Sequence, residues 1–154
     1  NRFSCFVLGN GNPSIEQELI AIKTEFQDCY HAQITYDEQL SHRLYAGADF
    51  LLMPSRTEPC GLNQIYSMAY GTLPIVREVG GLKDSVIDYD TDSENATGFS
   101  FKKPDPIELL LVLMRSLLLY SQDLNEVKRV QLHAMTQNFS WDEAADKYLK
   151  MYLS

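Results

Sequence analysis

The chain is poor in the residues that build metal centres and covalent staples. Its three cysteines, Cys5, Cys29 and Cys60, are odd in number and widely spaced, with no Cys-x-x-Cys pair and no Cys/His cluster. Neither a zinc site nor a disulfide framework is therefore expected, and a reducing compartment, a bacterial cytoplasm or a plastid stroma, fits this usage. The three histidines, His31, His42 and His133, lack ligand spacing, so no metal is expected. Basic residues are scarce as well. Thirteen Lys and Arg against 21 Asp and Glu give a formal charge of −8, which argues against a nucleic-acid binder, whose footprint is a basic patch. A small anionic ligand remains compatible, because local dipoles oppose the global field over short distances. No uncharged apolar run reaches the roughly 18 residues of a membrane span. The greasiest segment, 109–119, is interrupted by Arg115 and has the length of a buried helix. There is no initiator methionine or signal peptide ahead of the first strand signal, so the chain reads as a fragment.

What is present has the rhythm of an α/β protein. A length of 154 residues suits one domain, which buries about 68–70% of its unfolded-chain surface. Strand signals at 3–8, 30–34, 50–53, 73–76 and 98–101 alternate with helical ones at 14–26, 38–48, 62–70 and 82–87. Near-continuous apolar strands between helices imply a parallel sheet covered on both faces. From residue 105 onward the pattern is helical, at 107–120, 125–136 and 141–153, and 90–95 reads as an exposed polar loop. In such sheets ligands bind beyond the carboxyl ends of the strands. Three loops lie there: 9–13, 56–62 and 77–82.

The middle loop is the most informative. In Pro54-Ser55-Arg56-Thr57-Glu58-Pro59-Cys60-Gly61-Leu62-Asn63-Gln64 a strand ends, Pro59 and Gly61 turn the chain, and a helix opens with Leu62, Ile65 and Ala69 on one face. The free N–H groups at a helix start favour anions. A carboxylate beside an anion-binding point suits transfer of a group from a phosphorylated donor.

The string SRTEPCGLNQ, followed by YGTLPIVREVGGLKDSV, closely resembles the C-terminal domain of bacterial glycogen synthases and plant starch synthases, retaining glycosyltransferases of the GT-B fold. FVLGNGNP at 6–13, YDEQLSHRLYAGADFLLMPS at 36–55 and NFSWDEAADKYLKMY at 138–152 extend the resemblance over nearly the whole chain. It implies a Rossmann-like donor-binding domain spanning 1–154, taken from a larger two-domain enzyme whose N-terminal domain binds an α-1,4-glucan acceptor. It also implies ADP-glucose as the donor substrate, with no separate cofactor, no nucleic acid and no membrane.

The same resemblance suggests roles. Glu58 is placed against the donor glucose as the catalytic carboxylate. Cys60, Gly61, Leu62 and Asn63 present backbone N–H groups to the distal phosphate or the sugar, although many relatives have Thr where Asn63 stands. Cys60 itself reads as a packing residue rather than a nucleophile. Many GT-B enzymes carry a second glutamate eight positions after the first; here Tyr66 stands there, as in the glycogen and starch synthase branch. Tyr36 aligns with a tyrosine that stacks on the adenine. Gly9 and Gly11 fit a loop lining the nucleotide pocket or a tight turn. Gly80 and Gly81 fit either a sugar-positioning loop or a helix entry with close packing, and His42 and Arg43 a structural or a catalytic role. The aromatic residues Trp141, Tyr148 and Tyr152 of the last helix form a stripe expected to be partly uncovered in this chain. Two alternatives stand beside this reading: another GT-B transferase resembling sucrose synthase, and a non-catalytic nucleotide- or glucan-binding module.

Overall fold

The structure, a computed structural model, describes residues 3–153, excepting the side chains of Glu143 and Ala144. The chain divides into two compact units, Asn1–Leu44 and Tyr45–Ser154.

In the first unit β1 (Cys5–Leu8) and β2 (Tyr30–Gln33) run parallel, in register from Cys5 opposite Tyr30 to Leu8 opposite Gln33. Parallel neighbours require a crossover, and α1 (Pro13–Glu25) supplies it. Pro13 suits the first helical turn, where its missing N–H costs nothing. Asn12 caps the helix by accepting from the Ser14 N–H at 2.9 Å. No residue of α1 is buried. The next helix is α2 (Glu38–Gly47).

The second unit holds a sheet in the order β3 (Phe50–Met53), β4 (Leu73–Arg77), β5 (Phe99–Phe101), with every pairing parallel. Alternation along β4 divides its side chains between two apolar clusters. Leu73 and Ile75 join Phe99 and Phe101 and meet Met68 of α3 (Asn63–Ala69), Val112 of α5 (Pro106–Gln122) and Val127, Val130 and Ala134 of α6 (Leu124–Met135). Val76 joins Met53 and meets Leu82 of α4 (Gly80–Ser85) on the opposite face, with Val86 just beyond that helix. Helices thus cover both faces of a parallel sheet, as the sequence pattern implies.

Asp105 caps α5 by accepting from the Ile107 and Glu108 N–H groups, and Asp123 caps α6 through those of Asn125 and Glu126. Arg115 of α5 reaches across to Asp88 at 2.6 Å and Asp90 at 2.8 Å, with its guanidinium 5.5 Å from the centre of the Phe99 ring. The polar loop at 90–95 is mostly exposed, as expected, but pinned: Arg129 of α6 donates to the carbonyls of Ser93 and Glu94 while paired with Glu126.

Three expectations need correction. Of the face expected on α3, Ile65 packs against the core but Leu62 and Ala69 are exposed, and the fully buried positions are Gln64, Ser67 and Met68. Polar Gln64 and Ser67 are accepted inside because their donors find partners within the fold. Helix α4 starts at Gly80 and stops at Ser85 rather than running to Ile87. The Ile87 N–H turns to the Thr97 hydroxyl, the Thr97 N–H returns to the Ile87 carbonyl, and Asp88 bridges Gly98, so this segment extends the sheet instead. Helix α5 is not buried all round: Val112 and Ser116 are buried, while Leu110, Leu111, Met114 and Leu118 are exposed. The last helix, α7 (Trp141–Leu153), leaves Trp141, Tyr148 and Tyr152 open to solvent.

Phe99 is 1% exposed and touches both Phe50 and Tyr89 ring to ring, so Phe99→Ala is expected to lower unfolding free energy by about 3–5 kcal/mol, read from the denaturant midpoint. Glu126 gives a second test. Hydrogen bonding from Arg129, and then from the Tyr89 hydroxyl, holds its carboxyl below the ordinary value, with burial opposing them. A depressed folded-state value contributes stability above the unfolded value and loses it as pH falls through the folded one. The stability gap between wild type and Glu126→Gln should therefore be full near neutrality and close below about pH 4; a gap unchanged down to acid would contradict the pairing.

Candidate functional site

The candidate site is built on the loop 54–62, which leaves the carboxyl end of β3. Three groups hold its backbone from behind. Arg77, closing β4, donates through Nε to the Ser55 carbonyl at 2.7 Å and through Nη2 to that of Arg56. The first turn of α4 presses on the next stretch. A Cβ at Gly80 would lie 1.8 Å from the Glu58 carbonyl oxygen, and one at Gly81 would lie 1.9 Å from that of Cys60. No side chain fits there, and the Gly81 N–H completes the contact by donating to the Pro59 carbonyl at 3.3 Å. The third group is the buried carboxamide of Gln64, which faces the carbonyls of Cys60 and Gly61.

Held this way, the loop lines an open cleft of about 370 Å³ with Met53, Glu58, Pro59, Cys60, Gly61, Leu62 and Asn63. Glu58 is half-buried and is the only carboxylate among these lining residues. Its side chain makes no hydrogen bond or ion pair with any described residue, so the carboxylate is available to a ligand. Cys60 is exposed and forms no disulfide. Gly61 adopts φ +73°, which a side chain at this position would strain. No side chain caps α3 at Leu62, and the N–H groups of residues 60–63 have no hydrogen-bond partner among the described residues. A carboxylate and a set of free amides on one concave surface can stabilise positive charge at a sugar carbon and negative charge on its leaving group.

The structure thus gathers Glu58, Cys60, Gly61, Leu62 and Asn63 around one cleft, with Gly80 and Gly81 behind it. Close packing is the observed role of the two glycines. Gly9, Gly11 and Tyr36 belong to the first unit. Open space surrounds Gly9 and Gly11, and the Gly11 N–H is taken up by the Glu16 carboxylate at 2.6 Å. Tyr36 is 79% exposed, so its ring face is accessible. Among the described residues no three His, Cys, Asp or Glu side chains gather to hold a metal, and no helix is long and apolar enough to cross a membrane.

Sequence reasoning missed Arg77, Gln64 and Ser85, the side chains that hold the loop. Helical spacing carried a signal for Gln64, which stands three and four positions before Ser67 and Met68 on the buried face. A second recess, of about 300 Å³, is lined by Glu78, Asp88, Asp90, Ser100 and Arg115 among others. There Arg115 pairs with the two aspartates, and the Ser100 hydroxyl donates to Glu78.

Comparison with known proteins agrees with this arrangement. The chain is 64% identical over 152 residues to a glycogen synthase from Aliivibrio fischeri, covering 99% of this chain and 31% of that protein. It is 56% identical over 154 residues to a glycogen synthase from Vibrio atlanticus, covering 100% of this chain and 32% of that one. The chain therefore spans about a third of the length of these curated relatives. Among solved structures, the catalytic domain of starch synthase IV from Arabidopsis thaliana, bound to ADP and acarbose, superposes with a TM-score of 0.85 at 36% identity, over 94% of this chain and 30% of that one. Residues 1–131 match the family described as glycosyl transferases group 1. With parallel strands, helices on both faces and the glutamate loop at the strand ends, the chain belongs to the group 1 glycosyl transferases and has the fold of a GT-B C-terminal domain.

Proposed function

We propose that the chain is the donor-binding part of a glycogen synthase, which transfers glucose from ADP-glucose to the non-reducing end of an α-1,4-glucan with retention of configuration. The observation that carries this reading is Glu58: a carboxylate with no internal partner, on a loop whose backbone is fixed from behind, at the rim of a cleft lined by free amides. The bond from the anomeric carbon to the diphosphate breaks, and one to the acceptor's 4-hydroxyl oxygen forms. ADP leaves with the negative charge, and the hydroxyl proton is released. Glu58 faces the sugar and opposes its developing positive charge. The N–H groups of Cys60, Gly61, Leu62 and Asn63 meet the distal phosphate, and Tyr36 stacks on the adenine, with Gly9 and Gly11 beside the nucleotide. Gly80 and Gly81 act through the backbone of the glutamate loop. The glucan acceptor is bound by the part of the enzyme beyond this chain. Relatives from Aliivibrio and Vibrio support a bacterial cytoplasm as the compartment.

Two experiments test the reading. In a chimera where this chain replaces the matching segment of the Aliivibrio fischeri glycogen synthase, Glu58→Gln is expected to lower turnover by about 10²-fold or more with nucleotide affinity retained. Unchanged turnover would reduce Glu58 to a loop residue and favour the non-catalytic module. Calorimetric titration of the chain alone is expected to give weak, saturable binding of ADP in preference to UDP, without glucan elongation. Tighter binding of UDP would overturn the choice of donor, and elongation by the chain alone would overturn the division of labour.

A further inference from the structure

Gln64 is fully buried in the first turn of α3, yet only one end of its carboxamide is used. Nε2 lies 3.0 Å from the Gly61 carbonyl oxygen, 3.3 Å from that of Cys60 and 3.1 Å from the Ser85 hydroxyl. Oε1, equally buried, has no partner among the described residues. An unpaired buried acceptor costs free energy that an aliphatic side chain of the same size would not incur. Reversing the amide would set an oxygen against two carbonyls, so the observed orientation is the better one. The contribution of Gln64 to the fold therefore rests on what Nε2 holds.

Nε2 holds two successive peptide groups. In a trans peptide the C=O and the following N–H point in opposite directions. A Cys60 carbonyl drawn inward turns the Gly61 N–H outward, and a Gly61 carbonyl drawn inward does the same for the Leu62 N–H. Both residues line the cleft beside Glu58. Neither N–H has a hydrogen-bond partner among the described residues. The tie continues behind: the Ser85 hydroxyl donates to the Gly81 carbonyl at 2.6 Å, and Gly81 lies against Cys60. Gly61 is shaped to this neighbour as well, since a Cβ there would come within 2.6 Å of Oε1.

We propose that Gln64 is a positioning residue, which, with Ser85, aims the Gly61 and Leu62 amides into the Glu58 cleft and so sets turnover more than donor binding. The catalytic part of this inference rests on the donor-binding reading above. The aiming of the turn does not, and it is tested separately in the chain alone. There, Gln64→Met, similar in length but without donors, is expected to shift or broaden the Gly61 and Leu62 amide signals in a ¹⁵N spectrum while the rest of the spectrum stays folded. Unchanged signals would overturn the proposal.

In the chimera the same variant is expected to lower kcat by about tenfold or more, below the 10²–10³ of a deleted oxyanion donor, with the KM for ADP-glucose changed less than about threefold. Val130→Ala, which removes core volume from α6, controls for general destabilisation and should leave kcat near wild type. Gln64→Glu adds a readout that mere destabilisation does not move: its carboxylate repels the two carbonyls, whereas its protonated form donates, so kcat should rise toward acid relative to Gln64→Met. Loss of kcat equal to that of Val130→Ala, with no acid rescue, would assign Gln64 a packing role. A chimera that lacks turnover, or keeps it with Glu58→Gln, while the free chain shows the loosened turn, would overturn the donor-binding reading and leave the structural part of this one standing.

Discussion

The architecture of the site depends on one steric constraint: a helix start and a loop meet where there is room for backbone alone. Gly80 and Gly81 allow the start of α4 to lie on the carbonyls of Glu58 and Cys60, and everything else at the site assumes that contact. The loop between β3 and α3 contains two prolines and a glycine at φ +73°, and it contributes no strand or helix hydrogen bonds of its own to fix it. Its shape is imposed from outside, by Arg77 on its first half, α4 on its middle and Gln64 on its last turn. A loop fixed in this way has its side chains and amides free for a ligand, because none of them is used to hold the loop.

The sheet explains why these supports arrive together. Parallel order β3-β4-β5 places the carboxyl ends of the strands side by side, so Arg77 at the end of β4 reaches the residues that follow β3. The same pairing makes α3 and α4 consecutive crossovers, in contact with each other through Gln64 in the first turn of α3 and Ser85 at the end of α4. The two faces of β4 then anchor them separately, α3 in the larger cluster through Met68 and α4 in the smaller through Leu82. Burial energy, which has no direction, fixes the helices; hydrogen bonds and steric exclusion set the loop between them.

Much of this was legible in the sequence, for definite reasons. Alternating strand and helix signals carry the element order, because buried parallel strands and amphipathic helices differ in period. The glutamate loop stood out through its punctuation. What was not legible involved residues that touch through space. That Gly80 and Gly81 lie on Glu58 and Cys60 depends on a contact across about 20 positions of sequence, and an isolated glycine pair says only that something is close. The buried face of α3 was misassigned because apolar Leu62 and Ala69 face outward while Gln64 and Ser67 face inward, and hydrophobicity ranks those four in the reverse order. The end of α4 was misplaced because Val86 and Ile87 continue a helical apolar pattern that pairing with Thr97 and Gly98 overrides.

The position of the single tryptophan has an optical consequence. Trp141 opens α7, is 82% exposed and belongs to neither apolar cluster around β4. Its emission reports the polarity around α7 rather than melting of the core, against which Tyr89 and Tyr120 pack instead. Fluorescence excited at the red edge of the indole band therefore follows whatever comes to lie on that helix, as a native label on a surface where Tyr148 and Tyr152 also stand open.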